Sequence, residues 1–447
     1  MLRKHLIPVG GISGDIECCE SGISGRLTAA NAPASSNFAM REIGKVLTDP
    51  GDRFFDHRGW QAITHPKLPS ADWRTRTACC TPDACARGDG RAHEACSLIG
   101  GGDDRSEVLS RHMRIGLLAY GAIGHEHNRA VQATDGLTLT AVCDTSAERV
   151  AAALEIAPDA ATFSDAMEML DSGLIDAVVI STPPNSHYDW AKAALERGIH
   201  VILEKPMALT VEQCDELICL ADSRGLTLVV YQNRRFDRDF VTLRRLIREG
   251  AIGEVFQYDS FVGGYSRPCD YWHSDAAVSG GAIFDWGSHF LDQVLNLFDK
   301  PIDYVTGINH KRHWTHVTNA DHAVVTVMFT DGTQALFTHS DLSAARKPKF
   351  HVLGTTGAIV GEWDETAAPA VADLPARLFL YDTDGNATEI GLDEVTPYQF
   401  HSEFEALLAR GVPMQVDSRS SRNVVAIMEA AERSALERGR PVSPNIS

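Results

Sequence analysis

Asp285 and His289 stand four residues apart, a spacing that puts two side chains on one face of a helix. A carboxylate beside an imidazole suits proton transfer, because the ring titrates near neutral pH and can both give and take a proton. The plain alternative is a histidine that only makes a structural hydrogen bond. Gly280-Gly281, just upstream, allows a close backbone approach at that place. A second candidate is Lys205 in Glu204-Lys205-Pro206, where a short apolar run ends without a helix start. A lysine there is commonly just solvated, but a following proline can lock a turn that aims the side chain. Asp292, beyond His289, reads as a helix-surface acid or a partner behind the site.

A third feature is the run Ala119-Tyr120-Gly121-Ala122-Ile123-Gly124, of the pattern A-x-G-x-x-G. It follows the apolar run Arg114–Ala119 and opens a helical stretch to Thr134, closed by Asp135-Gly136. A second strand, Leu137–Cys143, ends at Asp144. This βαβ unit is the phosphate-binding start of a dinucleotide-binding, Rossmann-type fold. Gly121 lets the backbone approach a pyrophosphate, Gly124 lets the helix pack on the strand, and the helix N-terminus supplies the anion site. Alanine replaces the first glycine of the usual pattern, which is tolerable if Ala119 keeps a negative φ. Asp144 is placed to accept hydrogen bonds from the adenosine ribose hydroxyls and to repel a 2′-phosphate, so NAD is expected. Arg149 keeps NADP open.

The elements that must position these residues follow in order. Asp176–Ser181, Ile199–Leu203 and Leu226–Tyr231 read as further buried strands, with helices over Ser186–Arg197 and from Thr210 to Gly225. Thr210-Val211-Glu212-Gln213 is a capping box. The sum is a doubly wound six-strand parallel sheet over 113–233, with its ligand side at the carboxyl ends of the strands. From Gly253 longer alternating strands appear: Glu254–Val262, Tyr304–His310, Asp321–Phe329, Gln334–Ser340 and Phe350–Leu353. Asp331-Gly332 and Asp384-Gly385 mark hairpins. Residues 234–447 are therefore expected to form an α+β domain for substrate binding and oligomerisation, with helices in 397–438 returning to the first domain.

Residues 1–112 look different, with Gly-Gly breaks and no sustained period. They hold 14 basic and 14 acidic residues, so the whole net charge of −19 lies in 113–447. The expectation is a poorly ordered or non-native extension, with Met113 as the functional start. Cys79, Cys80, Cys85, His93 and Cys96 lack the paired C-x₂-C spacing of a zinc site, and no metal is expected. Cys143, Cys214, Cys219 and Cys269 read as small core fillers in a reducing compartment. The acidic balance disfavours nucleic acid, and no run of about 18 apolar residues suggests a membrane span. A cytoplasmic protein is expected by default.

Together the Ala119–Gly124 turn, Thr182-Pro183-Pro184-Asn185-Ser186-His187, Glu204-Lys205-Pro206, Gly253 and Gly280-Gly281-x₃-Asp285-x₃-His289 resemble the Gfo/Idh/MocA oxidoreductases over about 113–442. These are the glucose–fructose oxidoreductase, inositol dehydrogenase and rhizopine-catabolism proteins. The resemblance implies that Thr182, Pro183, Asn185 and His187 wall the nicotinamide end of the cofactor, beside Glu204. An ordinary strand-to-helix turn capped by Asn185 or Ser186 accounts for the same residues. It also implies a cis peptide before Pro206 that aims Lys205 into the cleft, a large mostly antiparallel second sheet, and a homodimer or homotetramer.

The implied activity is hydride transfer between a nicotinamide and a hydroxyl or ketone carbon of a sugar, polyol or cyclitol. His289 would act as base, Lys205 as donor to the reacting oxygen, and Asp285 as the group that orients the imidazole. Trp272, with neighbours Tyr271, His273, Arg234 and Arg235, is a candidate substrate contact, and specificity is expected in loops 263–280 and 311–320. The competing class is a non-catalytic nucleotide-binding regulator of the same fold, which would have no use for Lys205, Asp285 and His289 together.

Overall fold

A computed structural model describes residues 112–365 and 375–447. The expectations for residues 1–112 and for the early cysteines thus lie outside the described residues, apart from His112.

The first half alternates strand and helix. It runs β1 (Met113–Leu118), α1 (Ala122–Ala133), β2 (Leu137–Cys143), α2 (Ala147–Ile156), β3 (Ala161–Phe163) and α3 (Ala166–Asp171). It continues with β4 (Ala177–Ile180), α4 (His187–Glu196), β5 (His200–Leu203), α5 (Val211–Arg224) and β6 (Leu228–Val230). The strands form one parallel sheet in the order β3-β2-β1-β4-β5-β6. β4 is buried at every position, which is why it reads as an unbroken apolar run. One face of the sheet packs Ile115, Leu117 and Val142 with Val131 of α1, while the other takes Val178, Ile180 and Val201 against α4 and α5. The order reverses direction between β1 and β4, so their carboxyl ends open a crevice there.

In this sheet β3 is the strand not named from sequence; three residues are too few to show a period. Thr210 caps α5 as its motif predicts, accepting from the Gln213 amide at 3.2 Å, and Gly225 ends that helix with φ 63°. Gln213 turns its own side chain to the amide of Leu209 rather than that of Thr210.

The second half begins with α6 (Arg238–Arg248), β7 (Val255–Gly263), the short α7 (Ala276–Ser279) and α8 (Ala282–Leu297). Then come β8 (Ile302–His310), β9 (His322–Phe329), β10 (Gln334–Ser340), β11 (Phe350–Gly354), β12 (Gly357–Trp363), β13 (Ala376–Tyr381) and β14 (Ala387–Ile390). These eight strands lie in the order β14-β13-β12-β11-β7-β10-β9-β8, antiparallel except for the β7–β10 pair. Both foreseen hairpins form, with Gly332 at φ 88° and Gly385 at φ 82°. β12 to β14 escaped the sequence reading. In β12 two glycines break the alternation, and each is required: a Cβ on Gly357 would stand 2.4 Å from Tyr381 O, and one on Gly361 2.8 Å from the Phe350 ring.

β9 alternates cleanly. Ala323, Val325, Val327 and Phe329 are buried, whereas Val324, Thr326 and Met328 are half-exposed. The buried face packs against α8 and against α10 (Ser418–Leu436), whose Val424, Ile427 and Ala431 join the same core. The preceding helix, α9 (Gln399–Arg410), sends Phe400 and Phe404 into the core under α1. Cys143 and Cys214 are buried fillers; Cys219 and Cys269 are only half-buried.

Candidate active site

The turn after β1 is built around two backbone constraints. Ala119 adopts φ 70°, against the expectation of a negative φ. A left-handed alanine costs about 1 kcal/mol, and the neighbours hold it there. Its N–H donates to Cys143 O at 2.8 Å, and Ser181 Oγ donates to its carbonyl at 2.8 Å. At α1 the first intrahelical bond is from His125 N–H to Gly121 O, at 3.3 Å. The amides of Ala122, Ile123 and Gly124 therefore lack intrahelical acceptors. No acidic residue stands in that first turn, and no side chain caps it. A Cβ on Gly121 would meet nothing within 4 Å, whereas one on Gly124 would stand 3.2 Å from Ala119 O. Gly121 is thus the open side of an anion cradle, and Gly124 the tight contact beneath it. These residues fit a dinucleotide pyrophosphate.

Two residues read as cofactor contacts also brace the cradle from behind. The Tyr120 ring is 1% exposed, its hydroxyl accepts from Asn128 Nδ2 at 3.0 Å, and its N–H donates to Asp144 at 2.7 Å. Asp144 accepts from Ser146 N–H at 2.8 Å with its other oxygen, and Arg149 lies 3.7 Å away. Its side chain is 3% exposed. The carboxylate braces the turns after β1 and β2 and does not stand open at the strand tip. What it can offer a ribose is its remaining lone pairs.

Thr182, Pro183 and Asn185 follow β4, next to the cradle, with Ser186 Oγ donating to Thr182 Oγ1 at 2.8 Å. Thr182 and Pro183 are half-exposed and Asn185 is exposed. Ser186 precedes α4 without a side-chain cap bond. His187 is set behind this wall, not in it. It is wholly buried, and its ring nitrogens lie 2.8 Å from Thr182 O and from Pro206 O. It ties the turn after β4 to the one after β5.

The Lys205–Pro206 peptide is cis. Lys205 crosses to the N-terminal turn of α8, where Nζ donates to Asp285 Oδ1 at 3.0 Å and to Asp285 O at 3.1 Å. His273 Nδ1 lies 3.8 Å from the other Asp285 oxygen. Burial works against the Asp285 carboxylate, but Lys205 and His273 outweigh it and hold its pKa well below the usual range. Trp272 stacks on His273 at 3.6 Å, so it borders the site through that ring.

His289 sits one turn along α8, 6% exposed, and its Nδ1 has no hydrogen-bond partner among the described residues. Burial, then the charges of Lys205 and Arg234, hold its pKa well below 6.5. Asp285 opposes that shift but bonds to Lys205; the carboxylate orients the lysine, and no bond to the imidazole forms. The ring is thus held neutral, the form in which a nitrogen lone pair can accept a proton.

The family profile described as an oxidoreductase family with an NAD-binding Rossmann fold matches residues 113–232. The profile of the GFO/IDH/MocA C-terminal domain matches residues 240–360. The chain belongs to the Gfo/Idh/MocA oxidoreductase family. It is 32% identical over 255 residues to the uncharacterized oxidoreductase YdgJ of Escherichia coli (strain K12), covering 56% of this chain and 72% of that protein. It is 26% identical over 350 residues to scyllo-inositol 2-dehydrogenase (NADP(+)) IolW of Bacillus subtilis (strain 168), covering 73% and 94%. A crystal structure of an NAD-binding protein from Listeria innocua superposes with a TM-score of 0.65 at 26% identity, covering 74% and 97%.

Other residues of this Gfo/Idh/MocA chain fall differently from their sequence reading. Asp292 is not a surface acid: it is 1% exposed and takes both arms of Arg235, at 2.6 and 2.7 Å. Arg235 is therefore a structural group and not part of a pocket wall. Glu204 is 8% exposed; one oxygen accepts the Lys205 amide at 3.1 Å and the other lies 2.9 Å from His127 Nε2. His127 Nδ1 in turn lies 3.0 Å from His401 Nε2. Sequence alone does not pick out His127, His401, His339 or Asp341. His127 was the one with a local signal, three residues past Gly124 on the helix that opens the cradle.

Proposed function

We propose that this chain is an NAD(P)-dependent dehydrogenase that moves a hydride between nicotinamide C4 and a carbinol or ketone carbon of a sugar, polyol or cyclitol. One observation carries the reading. Lys205, at the carboxyl end of the sheet that also bears the phosphate cradle, reaches Asp285 one turn before a neutral His289.

A bound nicotinamide supplies the hydride acceptor at C4. His289 takes the hydroxyl proton as the carbon becomes a carbonyl, and returns it in the reverse direction. Lys205 donates a hydrogen bond to the same oxygen and stabilises the charge that develops there. Asp285 holds the ammonium in place through its carboxylate and its carbonyl. Asp144 still favours NAD, while Arg149 beside it gives NADP a cation to meet. The similarity to a scyllo-inositol 2-dehydrogenase supports a cyclitol within this class.

The test is a panel of cyclitols, sugars and polyols with each nicotinamide, followed by absorbance. Wild-type enzyme should reduce the nucleotide with at least one member. Lys205→Met should lower kcat by about two to three orders of magnitude while leaving NADH affinity within a few-fold. Full turnover in that variant would remove Lys205 from the chemistry.

A further inference from the structure

β10 runs out of its sheet beside the site. Phe337 stacks on Phe290 of α8 at 5.5 Å, and its ring lies 3.5 Å from where a Cβ on Gly287 would stand. His339 follows two residues later on the same face, and Asp341 comes just past the strand end. Both feel the charge of Asp285 at the head of α8.

The two side chains are unusually short of partners. His339 is 7% exposed, and its Nδ1 has no hydrogen-bond partner among the described residues. Its Nε2 lies 3.6 Å from Asp341 Oδ1, too far for a hydrogen bond. The Asp341 backbone is well tied, with N–H to Asp321 O at 2.8 Å and its carbonyl accepting from Trp314 Nε1 at 3.2 Å. Its carboxylate accepts no hydrogen bond among the described residues. Asp321 next to it is saturated, taking Lys311 Nζ and the amides of Arg312, His313 and Trp314. Of three carboxylates in this region, Asp285 has Lys205 and Asp321 has Lys311, while Asp341 has no lysine or arginine partner among the described residues.

Burial, with the charges of Asp321 and Asp285, pushes the Asp341 carboxyl up to about 7. Burial pushes His339 down to about 4. Near neutral pH the pair is therefore a neutral imidazole and an acid that can donate or accept. The buried imidazole nitrogen is costly to leave unmatched, the Asp341 side chain beside it is 19% exposed, and a ligand entering there can bond to both. A hydroxyl, donor and acceptor at once, can serve both. An ammonium has only donors and leaves an imidazole N–H unanswered. A substrate carboxylate finds no spare cation here, since Lys205 and Lys311 are already paired with Asp285 and Asp321.

We propose that His339 and Asp341 form a second hydroxyl-binding point, which holds a substrate hydroxyl other than the one oxidised and so selects uncharged polyhydroxylated rings over simple alcohols and sugar acids. This rests on the reading of Lys205, Asp285 and His289 as the reacting centre.

The test uses full-length wild-type enzyme, Asp341→Ala, Asp341→Asn, His339→Phe and Lys205→Met. The probes are scyllo-inositol, myo-inositol, glucose, gluconate, an amino-substituted inositol and cyclohexanol, with NAD and NADP. On the best wild-type cyclitol or sugar, Asp341→Ala and His339→Phe should raise KM about 10- to 100-fold, with a smaller fall in kcat and unchanged NADH affinity. Asp341→Asn, of the same shape and still able to bond, should recover most of that loss. The wild type should disfavour gluconate and cyclohexanol, and no variant should gain on them. Unchanged KM in both truncations, while Lys205→Met is inactive, would overturn the subsite and leave the dehydrogenase reading standing. A wild-type preference for the amino-inositol or gluconate would overturn it equally. NADH binding without turnover of any probe would bring down the parent reading, and the subsite with it.

Discussion

Glu204 joins two things that the chain keeps 78 residues apart: its Oε1 lies 2.9 Å from His127 Nε2, and its Oε2 accepts the amide of Lys205 at 3.1 Å. The helix that opens the phosphate cradle is thereby bonded to the turn that carries Lys205. His401 extends the link to α9 at 3.0 Å. Glu204→Gln keeps the shape but weakens both bonds, since a charged acceptor is worth about twice a neutral one. The expected result is a fall in kcat of about tenfold with little change in KM for substrate. Equal kcat in the variant would show the link to be packing alone.

Arg149 stands 3.7 Å from an Asp144 carboxylate that two backbone amides already hold. A 2′-phosphate can pair with the guanidinium, while a 2′-hydroxyl has little to gain from it. Arg149→Ala should therefore weaken NADP about 10-fold or more and change NAD affinity by less than about threefold, by fluorescence titration. A parallel loss for both nucleotides would place Arg149 outside the discrimination.

Ala119 holds φ 70° with both backbone groups bonded. Ala119→Gly removes the Cβ clash, though it also frees the unfolded chain. The net gain should be about 0.5 kcal/mol, or roughly 0.5–1 °C in Tm for a protein of this size. A lower Tm would mean that the alanine methyl contributes more by packing than it costs in strain.

Much of this site was legible in the sequence where a local rule governs it. The turn, the capped α5 and the Asp285–His289 spacing follow from residues close in the chain. What stayed hidden was set by partners far away. The Ala119 conformation depends on Cys143 and Ser181; the burial of Asp292 depends on Arg235, 57 residues earlier. His339 and Asp341 gain meaning only when β10 is laid along α8. β12 looked irregular because Gly357 and Gly361 make room for Tyr381 and Phe350, a demand that no period in the strand itself expresses.

The pH dependence of catalysis follows from the environment of His289. With His289 as the proposed base, oxidation needs the neutral imidazole, and burial with Lys205 and Arg234 keeps its pKa below 6.5. The acid limb of kcat/KM for a cyclitol should therefore fall below pH 6.5, with the enzyme near full activity at pH 7. An acid limb above pH 6.5 would contradict a neutral, desolvated base.

Stability has its own pH window, fixed by opposing groups. His187, His289, His339 and His401 are all held below 6.5 by burial, so on unfolding each takes up a proton between its folded pKa and 6.5. The unfolded state binds more protons in that range, and stability falls as the pH drops below about 6.5. Asp341 and Glu432 act in the other sense. Burial lifts each to about 7, so the folded state holds the extra proton, and stability is lost as the pH rises from about 4 through 7. Glu432→Gln keeps the amide of Asn309 within reach of an oxygen but cannot ionise, and should raise Tm at pH 8 more than at pH 5. His401→Phe should flatten the acid side, narrowing the Tm difference between pH 6.5 and pH 5 relative to wild type. An identical acid slope in that variant would show that His401 is already protonated in the folded protein.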